Sequence, residues 1–192
     1  MQKSYIFLAD GFEEIEALAP LDILRRAGMP VITVSISDSL TVTGAHGARV
    51  EADALFTDND MSAAEWLILP GGMPGASNLA ACKPLTDLLV AQAARGGKIA
   101  AICASPALVL APLGILNGID ATCYPGMATN SKLIGWKEDE PVVSTNRVIT
   151  AHGPGASMLF GLTIAAISTG QAHAHEIGEA MMVYPRTMNQ YF

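Results

Sequence analysis

Residues 98–106 read Lys98-Ile99-Ala100-Ala101-Ile102-Cys103-Ala104-Ser105-Pro106, and the rest of the sequence is interpreted outward from this stretch. An apolar run ends in a cysteine, two small residues follow, and Pro106 opens a segment with a helical pattern. Ser105 is predicted to cap that helix, because serine before proline is a favourable helix start. The order strand, sharp turn and helix is typical of a nucleophile elbow, in which the reactive atom stands at the carboxyl end of a strand.

The chemistry of Cys103 has two interpretations at this point. A helix N-terminus beside the sulfur would supply free N–H groups and a positive dipole potential, which favour the thiolate over the thiol. A buried cysteine can equally serve as a small apolar core residue. The segment alone does not decide between these two roles.

The composition indicates one globular domain over residues 1–192. Hydrophobic residues make up 51% of the 192 and charged residues only 15%, which suits a large core. The net charge of −7 argues against nucleic acids and anionic membranes as partners. Three cysteines do not suggest a disulfide framework, no apolar run reaches the ~18 residues of a membrane span, and no signal-peptide pattern is visible. We therefore expect a cytoplasmic protein.

Apolar runs of strand length alternate with helical patterns along the chain. The runs are continuous rather than alternating, which predicts an α/β fold with a parallel sheet covered by helices on both faces. A β-hairpin excursion is predicted over residues 41–50. The predicted strands cover residues 5–9, 31–36, 66–69, 98–102, 121–123 and 148–151, and the predicted helices cover residues 13–27, 77–95, 156–167 and 172–182.

The active crevice of an open parallel sheet lies at the carboxyl ends of its strands. Residues that directly follow the strands are therefore expected to meet in one pocket, although they are far apart in the sequence. These residues are Glu13, Glu14, Glu16, Gly71, Gly72, Cys103, Cys123, Tyr124, His152, Gly153, Pro154 and Gly155.

Three of these positions suit specific chemistry. Gly71 and Gly72 can bring backbone N–H groups close to a reacting carbonyl oxygen, although Pro-Gly-Gly is also an ordinary turn. Glu16 lies on the same helical face as Glu13 and can point into the crevice, the alternative being an exposed helix glutamate. Because a carboxylate beside a thiolate is repulsive, one of the two pKa values must rise. We expect Glu16 to hold the proton and to donate it to Cys103.

The histidines give less specific signals. His152 follows a strand and can line the crevice, and His46 lies in the hairpin and can cover it; each is either a base or a solvated residue. His173 and His175 are two residues apart in a predicted helix and face different directions, which disfavours a metal site. Metal and dinucleotide motifs are not found, so neither a metal nor a cofactor is expected.

Of the other two cysteines, Cys82 lies at a polar helix start and is predicted to be incidental, whereas Cys123 can lie near Cys103. Cys123 lies at a predicted strand end, so a disulfide with Cys103 would inactivate the nucleophile reversibly. Two separate thiols in neighbouring loops are the favoured alternative.

Four motifs, in order, resemble the ThiJ/PfpI superfamily, in particular the branch that contains the parkinsonism-associated deglycase. The resemblance covers nearly the whole chain. It implies a flavodoxin-like sandwich related to class I glutamine amidotransferases, usually a homodimer in which Arg25 or Arg26 reaches toward the partner's pocket. The motifs occupy residues 7–16, 69–72, 100–104 and 153–155.

The resemblance also implies roles for the residues of the site. Cys103 matches the nucleophile, Glu16 the protonated acid that hydrogen-bonds to it, and Gly72 and Ala104 the backbone oxyanion site.

Three positions depart from related branches. The human-type branch has a histidine where this chain has Tyr124, so a Cys–His pair is not assumed. It has an arginine at the position of His152, which would here carry a pH-dependent charge. The peptidase and chaperone branches have a histidine directly after the nucleophile, where this chain has Ala104, which disfavours a peptidase.

Three functional hypotheses follow. The first is a cofactor-free enzyme acting on reactive 2-oxoaldehydes or glycation adducts, in which Cys103 attacks the aldehyde and Glu16 moves a proton. The second is a redox-sensing stress-response protein or chaperone whose Cys103 is oxidised to sulfinate. The third, an amidase-like hydrolase, is disfavoured by Ala104.

Overall fold

The fold is described by a computed structural model that covers residues 1–58, 60–145 and 147–184. Five α-helices are present in these ranges: α1 Glu14–Arg26, α2 Gly75–Ala81, α3 Lys83–Ala94, α4 Ser157–Thr169 and α5 Gln171–Ala180. The strands are β1 Ser4–Leu8, β2 Val31–Ser35, β3 Thr41–Thr43, β4 Arg49–Glu51, β5 Ala54–Leu55, β6 Trp66–Leu69, β7 Lys98–Ile102, β8 Asp120–Ala121, β9 Gly135–Trp136, β10 Val142–Ser144 and β11 Val148–Ala151. Short 3₁₀ turns occupy Phe56–Asp58 and Pro154–Ala156, and Pro106–Leu110 is π-helical.

The central sheet has seven strands in the order β10-β11-β7-β6-β1-β2-β5. All neighbours are parallel except β10, which runs antiparallel to β11 at the edge. Every residue of β1 and β6 is buried, as is nearly all of β7. Burial on both faces explains why these strands are continuous apolar runs.

Helices cover both faces of this sheet. On one face, α1, α4 and α5 pack over a core that includes Trp66 and Phe160. On the other face, α2, α3 and the π-helical segment pack over a second core that includes Phe7 and Leu85. The predicted α/β fold with two helical layers is confirmed. Within the described ranges, no helix is both long enough and apolar enough to cross a bilayer.

The predicted hairpin is formed by the antiparallel pair β3 and β4, outside the main sheet. It is attached to the turn between β1 and α1. The Gly11 N–H donates to the Thr43 carbonyl (2.8 Å), and the Ala45 N–H donates to the Phe12 carbonyl (2.7 Å). The hairpin is therefore attached to the segment that leads into Glu16.

Two local predictions were wrong. Ser105 does not cap the following segment: its backbone is already helical, and its hydroxyl donates to the Pro70 carbonyl at 2.6 Å. A long-range contact thus replaces the local cap. The strand predicted over 121–123 is limited to β8, which pairs with β9 outside the main sheet. The next residue, Thr122, instead donates its N–H to the Thr150 hydroxyl at 2.8 Å.

Candidate active site

The candidate site lies where the strand order of the sheet reverses direction. After β1, the chain passes through α1 and forms β2 on one side of β1. Strand β6 lies on the other side of β1, and the next strand of the sheet, β7, is added beyond it. Helix α1 covers one face of the sheet, and α2, which follows β6, lies with the helices of the other face. A crevice is expected at such a switch point.

Cys103 occupies the sharp turn directly after β7. Its φ of +64° lies in the left-handed region, which is uncommon for a residue with a side chain. Two hydrogen bonds hold this conformation: the Cys103 N–H donates to the Ala151 carbonyl, and the Tyr124 N–H donates to the Cys103 carbonyl, each at 2.8 Å. The backbone N–H groups of Gly72 and Ala104 are directed at the sulfur. Strained residues of this kind concentrate at functional sites.

Glu16 is fully buried in the first turn of α1. Its Oε2 accepts a hydrogen bond from the Gly71 N–H at 2.8 Å. Its Oε1 has no nitrogen or oxygen partner in the part of the chain that the structure describes. The Cys103 thiol faces the carboxyl as its remaining hydrogen-bonding partner. The alternative of an exposed helix glutamate is therefore wrong.

The two groups alter each other's pKa. Burial raises the pKa of Glu16 from 4.5 to about 7, against the hydrogen bonds from Cys103 and Gly71. Burial, followed by the charge of Glu16, raises the pKa of Cys103 to about 12, against the N–H groups of Gly72 and Ala104. Those N–H groups alone would lower the pKa of Cys103 and favour the thiolate. Burial and the charge of ionised Glu16 have the larger, opposite effect. The pair thus loses its first proton near 7 and holds one shared proton above that pH.

Gly71 is a glycine because three functional groups converge on it. A Cβ at this position would lie 2.7 Å from the Cys103 Cβ and 2.9 Å from both the Ala104 nitrogen and the Glu16 Oε2. Gly72 has a φ of +84°, and a Cβ there would lie 2.4 Å from the Glu13 nitrogen. The two glycines therefore allow the loop after β6 to pass close to both Cys103 and Glu16.

Residues that follow β8 and β11 stand beside the turn that holds Cys103. The Tyr124 ring is half exposed and lies against Gly153, where a Cβ would be 3.4 Å from the ring carbon Cδ2. His152 is partly buried, and its N–H donates to the Pro141 carbonyl at 3.1 Å. Among the described residues, no hydrogen bond involves its imidazole. Pro154 opens the 3₁₀ turn before α4.

His46, in the loop of the hairpin, contacts Glu14 of α1. Its Nδ1 lies 2.8 Å from a carboxylate oxygen of Glu14, and its N–H donates to the other oxygen at 2.8 Å. The ligand atoms of Glu13, Glu14 and His46 lie within 4.8 Å of one another. Both carboxylates already accept backbone hydrogen bonds there, from Glu16 and His46 respectively. We interpret this cluster as the attachment of the hairpin to α1.

The two arginines that the resemblance placed across a dimer interface form ion pairs within the chain. Arg25 contacts Asp53 at 2.7 Å, and Arg26 contacts Asp22 at 2.8 Å, one helical turn earlier. Both guanidinium groups lie near the surface. Their reach toward a partner stays a prediction.

All three cysteines are free thiols. Cys123 is fully buried, and its sulfur faces the Tyr124 carbonyl at 3.6 Å. Cys103 and Cys123 are therefore separate thiols, as the favoured alternative predicted, and do not form a disulfide.

Two residues of the site carry contacts that the sequence analysis missed. Glu13 was predicted only to lie at the crevice and on the helical face of Glu16, yet its Oε2 accepts a hydrogen bond from the Glu16 N–H at 2.8 Å. The spacing Glu13-x-x-Glu16, an N-cap followed by N3, was the signal that could have shown this. The contact of Ser105 with Pro70 joins loops 35 residues apart and has no local signal.

Fold and site together define an α/β protein with an elbow cysteine beside a buried glutamate. The sequence pattern of the DJ-1/PfpI family matches residues 2–167. The chain therefore belongs to the DJ-1/PfpI family.

Individual relatives agree with this assignment. Protein DJ-1 homolog B of Arabidopsis thaliana is 33% identical over 190 residues, which are 99% of this chain and 43% of that protein. The chain thus spans less than half of that relative. The glutathione-independent glyoxalase DJR-1.2 of Caenorhabditis elegans is 37% identical over 175 residues, covering 88% of this chain and 90% of that protein.

The fold is also similar to solved structures of this family. Toxoplasma gondii DJ-1, solved in an oxidized form, superposes with a TM-score of 0.87 at 33% identity. The match covers 96% of this chain and 99% of the Toxoplasma chain.

Proposed function

We propose that this protein is a cofactor-free, cysteine-dependent enzyme that acts on reactive 2-oxoaldehydes such as methylglyoxal, or on the adducts they form with amines. The observation that carries the proposal is the buried Glu16 carboxyl set against the Cys103 thiol. The glyoxalase activity in the name of the Caenorhabditis relative supports the substrate class.

In the proposed reaction, the Cys103 sulfur attacks the aldehyde carbon and forms a C–S bond. The oxygen that becomes negative accepts hydrogen bonds from the Gly72 and Ala104 N–H groups and then the proton held by Glu16, which gives a hemithioacetal. Glu16, now a carboxylate, removes the C1 proton and returns it to the C2 carbon, while the hydroxyl proton moves from the C1 oxygen to the C2 oxygen. C1 is thereby oxidised to a thioester while C2 is reduced to an alcohol. Water then cleaves the resulting thioester to lactate and restores the thiol–carboxyl pair.

Neutral Glu16 suits this reaction because its pKa lies near the working pH. A group with a pKa of about 7 can donate and accept a proton with equal ease at neutral pH. An ordinary glutamate, with a pKa of 4.5, would be ionised and would repel the thiolate.

The test is conversion of methylglyoxal to lactate by the purified protein without glutathione. Cys103→Ser and Glu16→Gln are each expected to lower turnover about a hundredfold or more. Cys82→Ser, at the partly buried C-cap of α2, is the matched control and should retain wild-type turnover. Turnover that survives Cys103→Ser would exclude the proposal.

Oxidation of Cys103 to a sulfinate is a second candidate function, because the same groups would bind that product. The N–H groups of Gly72 and Ala104, together with protonated Glu16, can donate hydrogen bonds to sulfinate oxygens. A relative from Toxoplasma gondii has been solved in an oxidized form, which supports oxidation as a candidate for this chain. Mass spectrometry after mild peroxide should find two added oxygens on Cys103 alone if redox sensing is the function, and no turnover of methylglyoxal.

We further propose that the protein acts as a cytoplasmic homodimer. Helix α1 exposes two large apolar side chains one turn apart, Ile15 at 54% and Leu18 at 36%, where a second copy could pack. Three free cysteines suit a reducing compartment.

A further inference from the structure

We propose that Glu13 is a positioning residue for Glu16: its carboxylate fixes the backbone from which Glu16 reaches Cys103 and keeps a negative charge beside that acid. This inference rests on the proposed function, in which Glu16 carries the proton.

The first support is a closed set of hydrogen bonds through Gly71. The Glu13 N–H donates to the Gly71 carbonyl at 3.0 Å, and the Gly71 N–H donates to the Glu16 Oε2 at 2.8 Å. The Glu16 N–H then donates to the Glu13 Oε2 at 2.8 Å. Glu13 therefore binds the carbonyl of Gly71, and Glu16 binds its N–H. Gly71 in turn lies next to the Cys103 Cβ.

The second support is burial. Glu13 is only 8% exposed, although glutamate is mostly an exposed residue in proteins. A serine or threonine would satisfy the Glu16 N–H equally well without placing a charge there. A second carboxylate next to a buried acid has an electrostatic cost, so its presence here indicates a role beyond capping.

The third support is the charge environment of Glu16. The charge of Glu13 raises the pKa of Glu16, in addition to the larger effect of burial. The Cys103 thiol and the Gly71 N–H face the same carboxyl and lower its pKa. On the attached hairpin, His46 is paired with Glu14 and also lies within the field of Glu13. Glu13 thereby favours the protonated form of Glu16 that the reaction uses.

The test measures the rate at which iodoacetamide alkylates Cys103 between pH 4 and pH 10, followed by mass spectrometry of the Cys103 peptide. Alkylation reports the ionisation of the thiol–carboxyl pair and requires no turnover. The variants are Glu13→Gln, which keeps an oxygen acceptor for the Glu16 N–H but removes the charge, and Glu13→Ala, which removes both. Glu14→Gln is the control, because it changes the net charge equally while its carboxyl faces the hairpin.

The acid limb is the part of the alkylation profile where the rate rises with pH. Because Glu13→Gln removes a negative charge beside Glu16, we expect the midpoint of this limb to fall by on the order of half a pH unit, with an unchanged Tm. Glu13→Ala should show the same direction of shift and, in addition, a lower plateau rate and a lower Tm. Glu14→Gln should leave the acid limb where it is in the wild type.

An acid limb that does not move in Glu13→Gln would overturn the role of the charge, and a wild-type plateau in Glu13→Ala would overturn the role in positioning. An equal shift of the acid limb in Glu14→Gln would show that the shift reports only the net charge of the protein, and would also overturn the proposal. Failure of the proposed function is a separate result, which the methylglyoxal assay reports. If the wild type is alkylated normally but does not convert methylglyoxal, the proposed function fails. The alkylation profiles of the Glu13 variants still decide the role of Glu13.

Discussion

At the scale of single residues, the space around Gly71 decides whether the Cys103 thiol and the Glu16 carboxyl can meet. Any side chain there would lie less than 3.0 Å from Cys103, Ala104 and Glu16 at once, and two of these contacts involve a backbone nitrogen and the nucleophile's own Cβ. Neither of those atoms can move without displacing β7 or the elbow turn.

Gly71→Ala is therefore expected to destabilise the protein by about 1–3 kcal/mol and to lower the alkylation rate of Cys103 at neutral pH by about tenfold. Chemical denaturation and the alkylation assay measure the two effects. Gly155→Ala is the matched control for stability, since a Cβ at that glycine would meet nothing within 4 Å. Equal unfolding midpoints for the two variants would show that the loop after β6 has room to relax.

The two central residues could be predicted from the sequence, but their surroundings could not. The elbow pattern identified Cys103, and the helical face shared with Glu13 identified Glu16. His46 was predicted to be either a base that covers the crevice or a solvated residue, and its pairing with Glu14, 32 residues away, was not predicted. Contacts of this kind depend on how a hairpin packs against a helix, which no local pattern contains.

At the scale of secondary-structure elements, an ion pair attaches the hairpin to α1. Pairing lowers the pKa of Glu14, chiefly through hydrogen bonds that overcome burial, and raises the pKa of His46 through the hydrogen bond and charge of Glu14. The contribution of Glu14 is present above its unfolded pKa of 4.5 and is lost in acid. The contribution of His46 is complete below its unfolded pKa of 6.5 and is lost as the pH rises through the higher folded value.

The pair should therefore stabilise the hairpin most between about pH 4.5 and 6.5. We expect His46→Ala to lower the free energy of unfolding more at pH 5.5 than at pH 9. Urea denaturation at the two pH values measures this difference. His173→Ala, on α5, serves as the control for the loss of a histidine, and a His46→Ala effect that grows toward pH 9 would contradict the assignment.

The elements themselves were largely predictable where burial is uniform. The strands β1, β6 and β7 are apolar along their whole length and were found from that pattern. The short strands β5, β9 and β10 were not predicted, because two or three residues at a sheet edge leave no periodic signal.

At the scale of the whole molecule, the exposed apolar face of α1 provides the contact for the proposed homodimer. Ile15→Lys would place a charge in that contact, where it could not be hydrated. We expect the wild type to sediment at twice the chain mass and Ile15→Lys to sediment as a monomer in analytical ultracentrifugation. Val90→Lys, at an exposed apolar position of α3 on the opposite layer, should remain dimeric. A wild type that sediments at the mass of one chain would exclude the dimer.

The whole account depends on Glu16 sharing a proton with Cys103 near neutral pH. The most direct measurement is the ¹³C chemical shift of the Glu16 side-chain carboxyl, followed by NMR as the pH is raised from 3 to 9. We expect a titration midpoint of about 7. A midpoint near 4.5, the value of an ordinary glutamate, would contradict it.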